Sequence, residues 1–219
     1  MSSANEHLGV ADEAYYQKYY SSRPPKDYCW LLSNIVSHGQ PGNILDLGCG
    51  LGLFVEMASK WGMDVQGCDG SKDAIGMTLQ RNPTLKVRHC LLGSRLPFND
   101  CSFNNVLLNQ VIEHLPAPVL TNALSECNRV LRRGGMLFIL SPNKANKAEV
   151  QKDPTHINPL YPSELRSLLN TAGFEVVAEP ISSRFDSRIP FASRLLRILM
   201  KTSLKDWLSS STNAYARKR

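Results

Sequence analysis

Two aspartates and a run of glycines are the residues of this chain best suited to hold a charged ligand. The run I-L-D-L-G-C-G-L-G, residues 44–52, sets Asp46 at the end of an apolar stretch and glycine at Gly48, Gly50 and Gly52. That order predicts a buried strand, a sharp turn and a helix start. Main chain can then approach a ligand closely, and unpaired N–H groups can meet its oxygens, with Cys49 inside the turn. The dinucleotide spacing G-x-G-x-x-G requires a third glycine where Leu53 stands. A carboxylate at Asp46 suits a cationic amine and repels a pyrophosphate. Asp69 and Gly70, in C-D-G-S at the end of the next apolar run, occupy a position from which a carboxylate takes two hydrogen bonds from ribose hydroxyls. The alternative for Asp69 is a cap on the following helix.

Further along, N-Q-V-I-E-H-L carries Asn109, Gln110 and His114, and D-P-T-H-I-N-P at 153–159 carries Asp153 and His156. An imidazole beside a ligand can accept a proton, so His114 and His156 are the candidate catalytic residues. The alternative for Asp153 and His156 is that they only cap and staple their loop.

The elements that position these groups alternate. Apolar runs at 44–47, 63–68, 86–90, 103–108 and 136–140 read as strands, separated by helical stretches at 53–60, 71–80 and 116–131. Two helices precede them, a tyrosine-rich one at 13–20 and another at 26–37. A helix at 163–172, a strand at 174–178 and a last strand at 212–218 follow. Strands alternating with helices imply a parallel, doubly wound sheet with right-handed crossovers. We expect two parts: an N-terminal helical cap, 1–38, and a main domain, 39–219, with a basic helical insert near 187–208.

The chain has 219 residues, ample for one large core, with 42% hydrophobic and 20% charged residues. No run is long and apolar enough for a membrane span, and the N-terminus lacks the order of a signal peptide. The six cysteines form no C-x-x-C pair, so reduced core thiols in a cytoplasmic protein are expected, with no metal and no disulfide framework. The net charge of +6 is concentrated: residues 184–219 hold nine Lys/Arg against two Asp/Glu, leaving the body at −1. A nearly neutral body argues against nucleic acid as partner. Within 191–208, Arg194, Arg197, Lys201 and Lys205 form a basic stripe opposite an apolar face. That pattern suits a lid, a dimer contact or a peripheral membrane contact, or a helix packed on the domain with its basic side in water.

Taken together, D-L-G-C-G-L-G, Asp69, Leu-Pro-Phe at 96–98, S-F-N-N-V at 102–106, V-I-E-H-L at 111–115, R-V-L-R-R-G-G at 129–135 and the stretch from Glu164 to Phe174 resemble the class I S-adenosylmethionine (SAM)-dependent methyltransferases, of the type 11 or type 23 kind acting on small molecules or glycans. The resemblance spans residues 40–180 and, more loosely, the terminus. It implies a Rossmann-like α/β fold with a seven-stranded, mostly parallel sheet whose last strand is inserted antiparallel beside the fifth. It also implies SAM as cofactor. Asp46 and the glycine turn would hold its amino-acid end, Asp69 its ribose, and Asn109 and Gln110 its methionine side. The acid that usually meets adenine is missing, with Leu91, Leu92 and Gly93 in its place, so Leu92 and Gly93 are expected to hold adenine by packing and backbone. Asn104 or Asn105 replaces the usual aspartate entering the fourth strand, and Arg133 replaces a proline. The function implied is methyl transfer to a small-molecule or glycan acceptor, most simply at a hydroxyl. The alternatives are a non-catalytic SAM-binding module acting through the basic helix, or a nucleotide-dependent oxidoreductase. Asp69→Ala or Gly50→Arg is expected to abolish SAM binding and leave the fold intact.

Overall fold

The structure, a computed structural model, describes residues 13–19, 28–180 and 204–219. Five strands run parallel: β1 (Ile44–Leu47), β2 (Val65–Asp69), β3 (Val87–His89), β4 (Phe103–Asn109) and β5 (Leu131–Pro142). Then β7 (Ser211–Lys218) inserts antiparallel between β5 and β6 (Phe174–Ala178). The sheet order is β3-β2-β1-β4-β5-β7-β6. This is the doubly wound sheet with an antiparallel last strand that the alternation and the resemblance implied.

Side-chain alternation explains the two layers. Ile44 and Leu107 point to a core shared with α2 (Cys29–His38), α3 (Leu53–Lys60) and α4 (Lys72–Arg81). Their neighbours Leu45 and Val106 point to the opposite core, shared with α5 (Ala117–Val130) and α7 (Pro162–Thr171). All four residues of β1 are buried, as a central parallel strand requires. From α5, Leu120, Ala123, Leu124, Cys127 and Val130 are buried at helical spacing. Each fully buried leucine contributes about 1.5–3 kcal/mol, so this face holds the helix in place.

Several details differ from expectation. β5 begins at Leu131 instead of 136, yet Phe103 pairs with Leu131 and Asn105 with Met136. Residues 132–135 therefore bulge out of the β4 ladder within the strand, with Gly134 at φ +75°. Two short helices, α6 (Lys147–Val150) and a 3-10 turn at Ile112–His114, have no strong periodic signal. Cys68 and Cys90 lie side by side, because the parallel β2–β3 pairing brings residues 22 apart in sequence to a Cα separation of 5.7 Å. Cys29, Cys49, Cys101 and Cys127 are free.

The family-like segments entering β4 and β5 prove to be structural. Asn105 is buried and its amide pairs with both backbone groups of Gln40, at 2.9 and 2.7 Å, pinning the turn before β1. Arg129 donates to the Leu96 and Phe98 carbonyls while pairing with Glu126 and Asp100, which clamps Leu-Pro-Phe to α5. The basic helix expected at 191–208 lies outside the described residues as far as 203. Within it, α8 (Lys205–Leu208) is described, with Trp207 63% exposed and its ring tilted against Tyr161, centroids 5.7 Å apart. Among the described residues no helix is long and apolar enough to cross a membrane.

Candidate functional site

The sheet reverses direction of winding between β1 and β4, and the carboxyl ends of β1, β2 and β4 open there onto a cavity of about 360 Å³. Open α/β sheets bind ligands at such a switch point. The walls come from the β1–α3 turn, the loops after β2, β3 and β4, the 153–158 loop, and α1 (Glu13–Tyr19).

The glycine turn shapes one wall. Gly48 (φ +78°) and Gly50 (φ +51°) both adopt left-handed backbone. A Cβ on Gly48 would collide with Val111, and one on Gly50 would stand 3.0 Å from the Tyr16 ring. The amides of the turn are already engaged. Gly48 and Cys49 N–H both donate to the Cys68 carbonyl (2.7 and 3.1 Å), Gly50 N–H to Asp69 Oδ2 (2.7 Å), and Gly52 N–H to the Cys49 carbonyl (2.8 Å). The expected free N–H groups are therefore absent at these four positions. Such a turn is poorly equipped to cradle a phosphate.

What it presents instead is a pair of buried acids, which a bound cation would help to ionise. Asp46 is 3% exposed, lines the cavity and has its carboxyl pushed up to about 8, first by burial and then by the nearby Asp69. Asp69 is also raised by burial, against the opposing effect of its hydrogen bonds. It accepts from Ser71 N–H (2.8 Å), Gly50 N–H (2.7 Å) and the Tyr16 hydroxyl (3.2 Å). Asp69 thus ties the glycine turn, the start of α4 and α1 together, besides facing the cavity. Capping of α4 itself falls to Ser71, whose hydroxyl accepts from Ala74 N–H at 3.2 Å.

At the other end the wall carries His114. Its Nδ1 lies 3.2 Å from the Thr155 carbonyl and 2.9 Å from Thr155 Oγ1. A carbonyl only accepts, so Nδ1 holds the proton and Nε2 the lone pair. Thr155 Oγ1 donates to Asp153 Oδ1 (2.6 Å), and the Tyr15 hydroxyl donates to Asp153 Oδ2 (2.7 Å). This chain fixes the His114 ring and joins α1 to the 153–158 loop. Burial, aided by the neighbouring His156, lowers His114 to about 4, so it is neutral at physiological pH. His156 sits behind it, ring centroids 4.9 Å apart, with Nδ1 donating to the Val150 carbonyl at 3.0 Å. Beside both lies Glu113, wholly buried, whose carboxyl oxygens have no hydrogen-bond partner. The Ser141 hydroxyl comes near enough to favour its ionised form without hydrogen-bond geometry, and burial pushes Glu113 up to about 8.

Of the expected residues, Asp46, Gly48, Cys49, Gly50, Asp69, Gly70, Leu92, Asn109, Gln110 and His114 line the cavity. Gly52, Gly93 and His156 do not. Gly52 packs against Thr78 and Gly93 against Val119, where a Cβ would come within 2.8 Å of each side chain, so both serve helix packing. Sequence reasoning missed Tyr15, Tyr16, Tyr28 and the apolar wall of Val111, Leu115 and Ile157. The tyrosine run was visible, but nothing local placed it over the glycine turn. Gln110, at φ +57°, is the strained non-glycine residue of the wall, a conformation no side-chain pattern announces.

Residues 45–139 match the family described as a methyltransferase domain, Methyltransf_11. A protein of Mycolicibacterium smegmatis named "Probable S-adenosylmethionine-dependent methyltransferase" is 35% identical over 137 residues, covering 61% of this chain and 52% of its own length. A ubiquinone biosynthesis O-methyltransferase of Sinorhizobium medicae is 32% identical over 108 residues, covering 48% of this chain and 43% of its own. The chain thus spans about half the length of the curated relatives it matches. Among solved structures, a SAM-dependent methyltransferase from Archaeoglobus fulgidus superposes with a TM-score of 0.71 at 20% identity, over 94% of this chain and 98% of that one. At that identity the likeness establishes the fold.

Proposed function

We propose that this chain, whose residues 45–139 match a methyltransferase domain, is a class I SAM-dependent methyltransferase that transfers a methyl group from SAM to a hydroxyl of a small molecule or glycan. The observation that carries this reading is Asp46: a buried carboxylate on the cavity wall, beside a glycine turn whose amides are already paired. A buried acid at that position suits an ammonium and disfavours a pyrophosphate, which counts against the nucleotide-dependent oxidoreductase.

The residues fit the group. Asp46 and Gly48 would hold the amino-acid end, Asp69 with Tyr16 the ribose, Leu91 and Leu92 the adenine face, and Asn109 and Gln110 the methionine side. When bound, SAM supplies a methyl already activated by its sulfonium. The protein's task is then alignment and exclusion of water. α1 contributes through Tyr15 and Tyr16, which supports treating 1–38 as a cap on a catalytic domain, 39–219. His114 is the imidazole that faces the cavity, and its lone pair is the group available to draw off the proton of a hydroxyl acceptor. The O-methyltransferase named among the relatives supports an oxygen acceptor. A cytoplasmic location belongs to the same proposal and rests on the free thiols of Cys29, Cys49, Cys101 and Cys127.

Calorimetric titration of the purified chain with SAM and with NAD tests the cofactor. One SAM bound per chain and no NAD binding is the expected result, and NAD binding with no SAM binding overturns the reading. Incubation with radiolabelled SAM and a panel of phenols, sugars and lipid-linked glycans then tests transfer. SAM binding without label on any acceptor class would favour the non-catalytic module.

A further inference from the structure

Glu113 is the group the proposed methyl transfer leaves unexplained. A wholly buried carboxyl with neither oxygen hydrogen-bonded is costly, and native structures rarely keep one without a function. It is not isolated: a ligand atom of Glu113, one of His114 and one of His156 all lie within 4.8 Å of one another. We propose that these three side chains form a binding site for a divalent first-row transition-metal cation, set directly behind the cavity wall that His114 forms.

Three independent features support the site. Cation–ligand distances of about 2.0–2.2 Å place such donor atoms roughly 3–4 Å apart, so closing the trio takes side-chain shifts on the order of 1 Å. Each imidazole has its Nδ1 proton directed at a backbone carbonyl, that of Thr155 for His114 and that of Val150 for His156. That arrangement leaves the lone pair on Nε2 and orients the ring, as outer partners do around metal-bound histidines. The donor set, two nitrogens and a carboxylate, suits zinc, cobalt, iron or manganese, and has too few oxygens for calcium. Asp153 is already occupied by Thr155 and Tyr15, so it stabilises the surroundings and is not a fourth ligand. Three protein ligands leave an open position, which is the pattern of a site that admits a further oxygen. A bound cation would take up the His114 Nε2 lone pair, which is then no longer free to accept a proton. Sequence spacing hid the trio, since 42 residues separate His114 from His156.

The test needs no methyl acceptor and no SAM. The full chain is stripped with a chelator, dialysed and titrated with Co²⁺ by visible absorption and with Zn²⁺ by calorimetry. One equivalent should bind, giving ligand-field bands without a thiolate charge-transfer band. His156→Gln and Glu113→Gln should each weaken binding by more than ~10-fold, at least what losing an outer partner costs. The half-buried His156 tolerates exchange without loss of the core, and far-ultraviolet circular dichroism verifies that each variant is folded. Absence of stoichiometric binding, a thiolate spectrum, or unchanged affinity in folded His156→Gln overturns the proposal.

Discussion

Asp69 illustrates how one residue can serve both the fold and the ligand. A carboxylate after the second strand is legible as a ribose contact, and from that alone its removal should affect binding only. In the structure the same carboxylate accepts from two backbone amides, Gly50 and Ser71, and from the Tyr16 hydroxyl. Asp69→Ala leaves those buried donors unpaired, at about 1–3 kcal/mol each. We therefore expect Asp69→Ala to lower unfolding free energy by about 2–5 kcal/mol in urea denaturation, in addition to abolishing SAM binding. A loss of binding with unchanged stability would show that the amides find other partners.

The element that sequence reasoning valued least is α1. Its tyrosines were recognisable as a helical run, but their destination depends on long-range contacts: Tyr15 reaches Asp153, 138 residues away, and Tyr16 reaches Asp69, 53 residues away. One short helix thereby bridges the cofactor end and the His114 end of the cavity. Tyr16→Phe removes a hydrogen bond to a charged group, a contribution of about 1.5–3 kcal/mol, and keeps the ring over Gly50. The expected outcome is roughly 10-fold weaker SAM binding, read by calorimetry, with faster SAM release in a stopped-flow chase. Unchanged release kinetics would mean that α1 is only a packing element. By contrast, the clamp of Arg129 on Leu-Pro-Phe concerns the sheet edge and should leave SAM affinity unaltered.

At the scale of the whole molecule the buried acids make stability depend on pH. Asp46 and Glu113 are both held up at about 8 by burial, above the range of unfolded carboxyls. The folded state therefore binds more protons than the unfolded one between about pH 4 and 8, and stability falls as pH rises through that window. His114, held down at about 4, acts oppositely, but only below its ordinary value near 6.5. Between pH 6.5 and 8 the carboxylates dominate, each by up to about 1.4 kcal/mol per pH unit. The ligand-free melting temperature should decline across that range, Asp46→Asn should reduce the slope, and saturating SAM should reduce it further by pairing its ammonium with Asp46. Melting curves in a constant-ionic-strength buffer series check all three, and a flat profile in the parent protein would refute them. The sequence by itself determined the order of strands and helices, the glycine turn with Asp46, and the match of residues 45–139 to a methyltransferase domain, because these rest on periodicity and on spacings of a few residues. Only the tertiary structure decided that the turn's amides are spent within the protein, that Gly52, Gly93 and His156 stand off the cavity, and that Glu113 meets two histidines. Those facts depend on which side chains and carbonyls the sheet topology and the docked 153–158 loop bring within a few ångströms, and no local pattern records that.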